Sequence, residues 1–338
     1  MITLERAEII CNNFNSKKIL VFGDIIFDRY IFGVVDRISP EAPIPIVKVQ
    51  KEDFRIGGAG NVASNIDSLG ANGLLLGIVG DDIYSKEIFR LKEKNNLSII
   101  SKNNQTLIKT RILAKKQQIV RIDREEQIIP STEDEKAIID IINKAEIDGI
   151  IVSDYAKGTL NKNIMDILKQ KSKELNIPLF VDPKPPNFNF YKDVTGITPN
   201  KIEAEEIIGK KLKEERDIIK AVRTIQKKFR TEYSIITRGA NGITAAQKGK
   251  KTFTIPVYNQ EVYDVTGAGD TVASVLILSL VSGATLKEAV ILSNIAASIA
   301  IERIGTAQIK ASEILSKLKN NKNRTTTEIN KKEDSYEQ

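Results

Sequence analysis

Residues 149–182 read GIIVSDYAKGTLNKNIMDILKQKSKELNIPLFVD. The stretch begins with an apolar run, Gly149 to Ser153, continues with apolar residues at helical spacing over 160–175, and ends with a second apolar run, Pro178 to Val181. Apolar runs this short, joined by an amphipathic helix, predict two parallel strands that are buried on both faces. The stretch therefore indicates an α/β fold.

The same alternation of short apolar runs and longer amphipathic stretches continues through most of the chain. Further candidate strands are Lys18 to Phe22, Leu74 to Val79, Val194 to Thr198 and Tyr233 to Thr237. Further helical patterns lie near 60–70, 84–95, 132–145, 200–230, 270–282 and 285–302. Because helical crossovers connect parallel strands, we expect a mostly parallel central sheet flanked by helices.

Two segments break this rhythm and predict a second, smaller sheet. Tyr30 to Phe54 and Leu107 to Ile122 alternate as strands do and contain no helical pattern. Within the first segment, Ser39 to Pro45 is rich in proline, which prevents a helix and favours an extended chain. We expect these strands to form a small antiparallel sheet that acts as a lid over the core.

These patterns predict one domain over residues 1–318, with lid strands from about 30–54 and 107–122. A length of 338 residues alone is compatible with one domain or two. Lys319 to Gln338 is rich in Asn, Lys, Thr and Glu and has almost no apolar residues. Such a segment buries too little surface to order itself, so we expect a disordered polar tail.

The composition is that of a globular protein, and it excludes any catalysis or metal binding by histidine. It is 41% hydrophobic and 28% charged, with no histidine and a single cysteine, Cys11. Without histidine, no Ser-His-Asp or Cys-His nucleophile system and no histidine-bearing zinc site can form. Acid–base chemistry therefore falls to Asp, Glu, Lys or Tyr.

The same composition predicts the location and the kind of partner. A lone cysteine suits a reducing cytoplasm, and the N-terminus carries charges where a signal peptide is apolar. The longest apolar run, Val272 to Val281, is too short to span a bilayer. The net charge is +7, but acidic and basic residues interleave. This favours an anionic small molecule, or merely a solvated basic surface, over nucleic acid. We expect a cytoplasmic protein with neither membrane nor nucleic-acid partners.

Polar residues follow several of the predicted strands. They are Asp24 and Asp28, Asp154, Asp182 with Lys184, and Asn200 with Glu203. The carboxyl ends of strands line the ligand crevice of an open α/β sheet. Taken singly, each residue is as well explained by helix capping or a turn. Their recurrence at successive strand ends favours a binding site.

A glycine-rich stretch, DVTGAGDT over residues 264–271, leads directly into the apolar helix. Its backbone N–H groups and the positive end of the helix can together bind a phosphate oxygen. Asp270 at the helix start can accept a proton from an attacking hydroxyl group, which is the arrangement that phosphoryl transfer needs. A glycine turn with Asp270 as helix cap explains the octapeptide equally well.

A second glycine cluster, Gly57 to Ala63, matches the motif of a different class of enzyme. Gly58, Gly60 and Ala63 match a dinucleotide-binding fingerprint, with Asp81 and Asp82 about 20 residues on, as in a dehydrogenase. The fingerprint requires a strand that turns tightly into the helix, whereas here the strand is expected to end near Val49. No P-loop motif occurs in the sequence.

The two glycine clusters, Gly57 to Asn61 and Asp264 to Asp270, resemble the N-terminal and C-terminal signatures of the PfkB/ribokinase family of sugar kinases. Within that family, five further stretches are similar to the D-glycero-β-D-manno-heptose 7-phosphate kinases. They are Gly23 to Tyr30, Arg37 to Pro45, Ser153 to Gly158, Val181 to Lys184 and Thr198 to Asn200. The likeness covers roughly residues 15–315 and implies a ribokinase-like fold.

The resemblance implies roles for individual residues. It makes Asp270 the catalytic base, with an anion hole formed by Gly267, Ala268 and Gly269. Residues implied at the sugar are Asp28, Gly57, Gly58 and Asn61. Residues implied at ATP are Asn200, Lys201, Ile202, Glu203, Thr237, Gly239 and Asn294, and Glu203 would also act indirectly on Mg²⁺. Among the cations, Arg111, Lys157 and Lys184 are candidates for a substrate phosphate. Asp154 is a further candidate for substrate binding.

The resemblance also implies an activity. This is ATP-dependent phosphorylation of heptose 7-phosphate at the anomeric hydroxyl, giving the 1,7-bisphosphate used to make ADP-heptose for lipopolysaccharide core. It further implies a homodimer formed through the lid sheet. The adenylyltransferase domain of many relatives needs a histidine motif, so we expect that second activity to be absent. Another sugar kinase of the family and a non-catalytic sugar-binding protein remain alternatives.

Overall fold

The structure, a computed structural model, describes residues 2–115, 117–258, 262–303 and 305–320. The strands are β1 (Lys18–Gly23), β2 (Ile25–Ile38), β3 (Pro45–Gly58), β4 (Asn72–Leu76), β5 (Ile78–Gly80), β6 (Ile99–Ser101), β7 (Leu107–Ala114), β8 (Gln117–Arg124), β9 (Gly149–Ser153), β10 (Leu179–Asp182), β11 (Gly196–Ile197), β12 (Tyr233–Thr237), β13 (Ile243–Gln247) and β14 (Phe253–Ile255). The helices are α1 (Leu4–Asn12), α2 (Ala59–Ser68), α3 (Ile83–Leu91), α4 (Thr132–Lys144), α5 (Lys162–Leu175), α6 (Lys201–Ile208), α7 (Glu215–Phe229), α8 (Ala268–Val281) and α9 (Leu286–Ala300).

The central sheet has eight strands in the order β14-β13-β12-β11-β10-β9-β1-β4. Every pairing from β4 to β12 is parallel, as the sequence predicts. The antiparallel strands β13 and β14 extend the β12 edge, and neither was predicted from the sequence. β13 (ITAAQ) contains threonine, two alanines and glutamine, and β14 has only three residues, so neither has the apolar run that indicates a buried strand.

Helices cover both faces of this sheet, and alternate strand residues point to opposite cores. In β1, Ile19 and Val21 pack with residues of α2, α8 and α9, whereas Leu20 and Phe22 pack with residues of α4, α5 and α7. All four side chains are fully buried. The structure thus has the three layers of an α/β fold, with the parallel strands buried on both sides.

The lid is a second sheet of four strands in the order β3-β2-β7-β8. The pairs β2–β3 and β7–β8 are antiparallel, but β2 and β7 are parallel over Ile26 to Gly33 and Leu107 to Ala114. The prediction of a purely antiparallel sheet is therefore wrong at this pair. Both strands leave the core and run outward to the tip of the lid, so they must point in the same direction.

Several predicted boundaries differ from the structure for local reasons. The pattern over 200–230 is two helices, because α6 ends at Gly209, which has φ +73° and begins a loop before α7. The candidate strand Leu74 to Val79 is divided at Gly77 between β4 of the central sheet and β5, which pairs with β6. Helix α1, capped by the Thr3 side chain, was not predicted.

The strand before the second glycine cluster is longer than predicted. β3 continues to Gly58, and α2 begins at the next residue, so the expectation of a strand ending near Val49 is wrong. However, β3 belongs to the lid and pairs with β2 in antiparallel fashion, whereas a dinucleotide fingerprint requires a parallel core strand. Asp82 is the N-cap of α3 rather than a ribose ligand. The dinucleotide-binding hypothesis is not supported by this geometry.

The end of the chain is only partly described. Residues 311–320 are helical and bury Ile314 and Leu318 in the core. Of the predicted tail, 319–338, the first two residues belong to this helix, and residues 321–338 lie outside the described part of the chain. No described helix is both long enough and apolar enough to cross a membrane.

Candidate functional site

The carboxyl ends of the parallel strands meet at one edge of the central sheet. Residues at or just after these ends are Asp24 after β1, Asp154 after β9, Asp182 in β10, Thr198 after β11 and Thr237 in β12. Because parallel strands all end on the same side, residues far apart in sequence come together here. The start of α8 lies at the same edge, since its residues Gly269 and Asp270 line a cavity with Asp182 and Thr237.

Asp270 lies in the first turn of α8 and is only 5% exposed. The Asn61 amide nitrogen donates a hydrogen bond to its Oδ2 at 2.6 Å, and the Tyr155 hydroxyl group donates to its Oδ1 at 3.3 Å. Asn61 belongs to α2 and Tyr155 follows β9, so groups from two other segments of the chain fix this carboxylate. The arrangement leaves a buried carboxylate in a defined orientation at a helix N-terminus.

Burial raises the pKa of Asp270 from its usual value of 3.8 to about 6. The hydrogen bonds from Asn61 and Tyr155 partly offset this rise, because they stabilise the ionised form. The carboxylate of Asp28 also raises this pKa, and the ammonium group of Lys184 lowers it. A carboxylate with a pKa near 6 is ionised at neutral pH, yet it is a better proton acceptor than an ordinary aspartate. Asp270 therefore has the properties of a general base.

The turn before α8 is held in place by Asp264. Its Oδ1 accepts hydrogen bonds from the N–H and hydroxyl groups of Thr266 at 2.9 and 2.7 Å, and its Oδ2 accepts from the Gly305 N–H at 2.8 Å. Gly267 has φ +77°, and a Cβ atom there would lie 2.8 Å from the Asn61 amide nitrogen. The glycine is therefore required by backbone conformation and by space.

This turn presents unpaired donors at the helix start. In the residues that the structure describes, the N–H groups of Gly267, Gly269 and Asp270 donate to no protein acceptor. The N–H of Ala268 donates instead to the Val265 carbonyl at 3.2 Å, so this member of the predicted anion hole is already occupied. The space beside Gly269 is open, with no atom within 4 Å of where a Cβ would stand. The geometry suits an anion.

Asp270 borders a polar cavity of about 150 Å³. Seven predicted site residues line it, namely Lys184, Asn200, Glu203, Thr237, Gly267, Gly269 and Asp270. Three others, Tyr155, Asp182 and Thr198, also line it; the sequence pointed to Asp182 only as a polar residue at a strand end and gave Tyr155 and Thr198 no role. Asp182 follows the pattern of polar residues at strand ends, but Tyr155 and Thr198 carry no chemical signature in the sequence that distinguishes them from core residues.

Negative charge predominates in the polar cavity. Burial raises the pKa of Asp182 well above its usual range, and the carboxylates of Glu203 and Asp270 raise it further. Lys184 is the one cation in the lining, and its ammonium group is bonded to Glu203. Glu203 also accepts a hydrogen bond from the Asn200 N–H at 2.9 Å in the capping box of α6. Carboxylate oxygens such as these can bind a cation. They do not form a complete metal cage, because the described residues contain no cluster of three or more metal-ligating side chains.

A larger, mostly apolar cavity of about 420 Å³ adjoins the polar one, and Thr237 and Gly269 line both. Gly239, Ala268 and Asn294, which the sequence analysis assigned to the site, also line it. The Asn294 amide nitrogen donates to the Pro256 carbonyl at 2.6 Å. The volume and the apolar walls fit a nucleoside-sized group, with its charged end toward Asp270.

Asp28, Gly57 and Gly58 come together where the lid joins the core. The Asp28 carboxylate accepts a hydrogen bond from Arg111 of β7, and both side chains are largely buried. A Cβ on Gly57 would lie 2.2 Å from Asp28 Oδ2, so glycine lets the carboxylate lie against the backbone of β3. Burial raises the pKa of Asp28, and Arg111 opposes this effect. The Arg111 guanidinium also lies 5.2 Å from the centre of the Tyr30 ring.

Other predicted residues do not reach the two cavities. The buried Asp154 carboxylate accepts hydrogen bonds from the Ala156 N–H at 2.6 Å, the Asn187 amide at 2.7 Å and the Tyr191 hydroxyl group. Burial raises the pKa of Asp154. These contacts hold the 3₁₀ helix Pro185–Phe190 beside the strand ends, which is a positioning role.

Lys157, Lys201 and Ile202 are likewise absent from the linings of both cavities. Lys201 and Ile202 occupy the first turn of α6, and Ile202 is 65% exposed. The Lys157 side chain is bonded to Glu125 at the seam between the lid and the core.

Comparison with solved structures identifies the class of fold. The chain is similar to a ribokinase of Arabidopsis thaliana complexed with ribose and ATP, with a TM-score of 0.70, 18% identity, and coverage of 90% of this chain and 99% of the other. It is also similar to phosphofructokinase-2 of Escherichia coli, with a TM-score of 0.72, 17% identity, and coverage of 89% and 97%. The fold is therefore ribokinase-like.

The family follows from the sequence comparison. The model of the pfkB family of carbohydrate kinases matches residues 16–313, and the chain belongs to that family. Curated relatives include the bifunctional protein HldE of Vibrio parahaemolyticus, 36% identical over 310 residues, and that of Campylobacter concisus, 39% identical over 301 residues. The matches cover 90% and 88% of this chain, but only 64% and 63% of the relatives' length.

Proposed function

We propose that the protein is a heptose kinase that transfers the γ-phosphoryl group of ATP to the anomeric hydroxyl of D-glycero-β-D-manno-heptose 7-phosphate. The product would be the 1,7-bisphosphate, used for ADP-heptose and lipopolysaccharide core. The substrate is proposed from the resemblance of the sequence motifs and from the likeness to the HldE proteins. ATP as the donor and the lone buried Cys11 agree with a cytoplasmic location.

The observation that carries the proposal is the placement of the Asp270 carboxylate beside unpaired N–H donors, in a polar cavity that adjoins an apolar one. In the proposed reaction, Asp270 accepts the proton of the anomeric hydroxyl as that oxygen attacks the γ-phosphorus and the bond to the leaving ADP oxygen breaks. The N–H groups of Gly267 and Gly269 stabilise the charge on the transferred group. Asn61 and Tyr155 keep the base oriented toward the sugar.

The carboxylates of the polar cavity fit a magnesium ion bound with the nucleotide. Mg²⁺ usually binds through one or two carboxylates together with phosphate oxygens and water, so a complete protein cage is not needed. Asp182 and Glu203 would hold it, because they are the other carboxylates that line this cavity. When bound, the ion neutralises negative charge on the nucleotide phosphates. Lys184 adds a positive charge at the same place.

The test is an ATP-consumption assay of the purified protein with Mg²⁺. It compares heptose 7-phosphate with ribose, fructose 6-phosphate, fructose 1-phosphate and adenosine. We expect turnover of heptose 7-phosphate only, with a 1,7-bisphosphate as the product. Turnover of another sugar would keep the class of enzyme and replace the substrate. Tight sugar binding without any turnover would instead favour a sugar-binding protein.

We also propose that two copies of the chain pair through the lid sheet. β8 is an edge strand whose residues are all exposed, including the apolar Ile119, Val120 and Ile122. An apolar edge strand left open to water promotes pairing with another strand, and a second lid offers the same surface. Ile38 on β2 and Val49 on β3, the strand at the other edge of the lid sheet, are also more than half exposed.

Replacing Val120 and Ile122 together by lysine is expected to convert a dimer into a monomer, because lysine is charged and poorly accommodated at a paired edge. Light scattering after gel filtration measures the molar mass. The matched control is Ile83→Lys on α3, where the side chain is 71% exposed and lies outside β8. A monomeric unsubstituted protein, or a double variant that stays dimeric, would overturn the proposed interface.

A further inference from the structure

Two lysines share one carboxylate at the seam between the lid and the core. Lys109 lies on β7, Lys157 lies on the loop after β9, and Glu125 directly follows β8. The Lys109 ammonium nitrogen lies 3.1 Å from Glu125 Oε1, and the Lys157 ammonium group donates to Oε2. The side chains are 16%, 23% and 23% exposed, respectively. The cluster is therefore partly shielded from water although it lies at the surface of the lid joint.

The charges in this cluster do not balance. Burial alone would raise the pKa of Glu125, but the two lysines hold it below its usual value, so the carboxylate is ionised at neutral pH. Two ammonium groups and one carboxylate leave a surplus of one positive charge. Partly desolvated cations interact more strongly with anions than exposed cations do. The pair of lysines is therefore suited to a group with two negative charges, such as a phosphate monoester.

The side chain of Tyr155 lies between the lysine cluster and the proposed base. The Lys109 ammonium nitrogen is 5.8 Å from the centre of the Tyr155 ring, and the hydroxyl group of that ring donates to Asp270. One tyrosine side chain thus connects the lysine cluster to the proposed base. The loop that carries Tyr155 and Lys157 is fixed, because the N–H groups of both residues donate to the buried Asp24 carboxylate at 2.8 and 3.0 Å.

The other two candidate cations have different partners and positions. Arg111 is bonded to the Asp28 carboxylate, which is 5% exposed, and Lys184 is bonded to Glu203 in the polar cavity that we assign to the nucleotide phosphates. If either cation turned to a substrate phosphate, it would break the ion pair of a buried carboxylate, which is costly. Glu125 is the more exposed carboxylate and can turn into water.

We propose that Lys109 and Lys157 form the subsite for the phosphate at the far end of the sugar, and that Glu125 is an exchangeable counter-anion. This inference rests on the proposed function. In the free protein, Glu125 keeps the two ammonium groups together, and the substrate phosphate replaces it without any covalent step. Because β7 belongs to the lid and the Lys157 loop to the core, a phosphate bound between them also connects the two parts.

The experiment compares kcat/KM for heptose 7-phosphate and for the same heptose without its phosphate in the variants Lys109→Ala and Lys157→Ala. Each variant is expected to lose about 10- to 100-fold on the phosphorylated sugar, as for a charged hydrogen bond, and to change little on the other sugar. The KM for ATP is expected to stay unchanged. The control is Lys162→Ala, which removes the same charge from an exposed ion pair on α5. It is expected to leave kcat/KM for both sugars unchanged.

The variant Glu125→Gln distinguishes a role of the cluster in phosphate binding from a purely structural salt bridge. If Glu125 competes with the phosphate, this variant is expected to bind the phosphorylated sugar several-fold more tightly. Inorganic phosphate is then expected to become a stronger inhibitor that competes with the sugar. A merely structural pair would instead lower the thermal unfolding temperature and reduce activity on both sugars equally. Equal losses on both sugars in the two lysine variants would overturn the subsite.

The failure of this inference differs from the failure of the proposed function. If the unsubstituted protein turns over heptose 7-phosphate and the lysine variants match it, only the subsite is wrong. If the protein does not accept that sugar, the proposed function is wrong. Calorimetric titration with inorganic phosphate then tests the subsite directly. Weaker phosphate binding in both lysine variants, with unchanged binding in Lys162→Ala, would support it, and identical binding in all four proteins would overturn it.

Discussion

Asp270→Asn is expected to lower kcat by about 10²- to 10⁴-fold, the usual contribution of a general base. Asparagine keeps the shape of the side chain and can still accept a hydrogen bond, but it cannot take up the proton of the attacking hydroxyl group. Binding of ATP and of the sugar is therefore expected to change little. Steady-state kinetics give kcat, and calorimetric titration of each ligand gives binding.

The control for this variant is Asp134→Asn. Asp134 is also a buried aspartate, but it belongs to the capping box of α4 and lines neither cavity. The control is expected to lose some stability and to keep its kcat. Near-normal turnover by Asp270→Asn would refute the assignment of the base.

The pH dependence of the unsubstituted protein provides a second measurement of the same group. Because burial raises the pKa of Asp270 to about 6, the ionised base is lost as the pH falls through that value. kcat/KM is expected to be nearly constant from pH 7 to pH 8 and to fall about tenfold per pH unit well below pH 6. A profile that stays flat down to pH 5 would contradict Asp270 as the base.

Asp24→Ala is expected to lower the free energy of unfolding by about 3–5 kcal/mol, because it leaves several buried donors without partners. The Asp24 carboxylate is 1% exposed and accepts hydrogen bonds from the N–H groups of Tyr155, Lys157 and Thr159. It therefore fixes the loop that carries Tyr155, whose hydroxyl group donates a hydrogen bond to Asp270. The activity is expected to fall as well, since the orientation of the base depends on that loop.

Urea unfolding followed by circular dichroism measures the stability change. Asp24→Asn is the matched comparison, since the amide keeps one carbonyl oxygen as an acceptor and is expected to cost less than the alanine variant. An alanine variant as stable as the unsubstituted protein would show that the loop does not depend on this carboxylate.

Local patterns in the sequence were sufficient to predict many of the strands and helices, and also the part of the site formed by the glycine turn and Asp270. The strands at 18–22, 149–153 and 233–237 and the helix over 132–145 agree with the structure within about one residue. Their apolar periodicity arises from burial against the sheet, and that signal is local. The glycine turn before α8 and Asp270 are likewise adjacent in sequence, so their proximity needs no knowledge of the fold.

Sequence patterns could not predict which segments far apart in the chain pair with each other. The parallel pairing of β2 with β7 depends on the direction in which two separated strands leave the core. Strands β13 and β14 are defined by their antiparallel pairing onto β12, and nothing in their own composition indicates this pairing. The six-residue loop that divides the 200–230 pattern begins at Gly209, and a helical pattern alone does not reveal this break.

The sequence by itself determined the class of fold, the absence of imidazole chemistry and the position of the candidate base, because these depend on composition, on periodicity or on neighbouring residues. The tertiary structure decided what surrounds that base. Asn61 and Asp270 are 209 positions apart, and Lys109, Glu125 and Lys157 come from three separate segments. Such contacts depend on strand order and on the meeting of the lid with the core, and the resulting burial then sets the pKa of Asp270 and the charge of the lysine cluster.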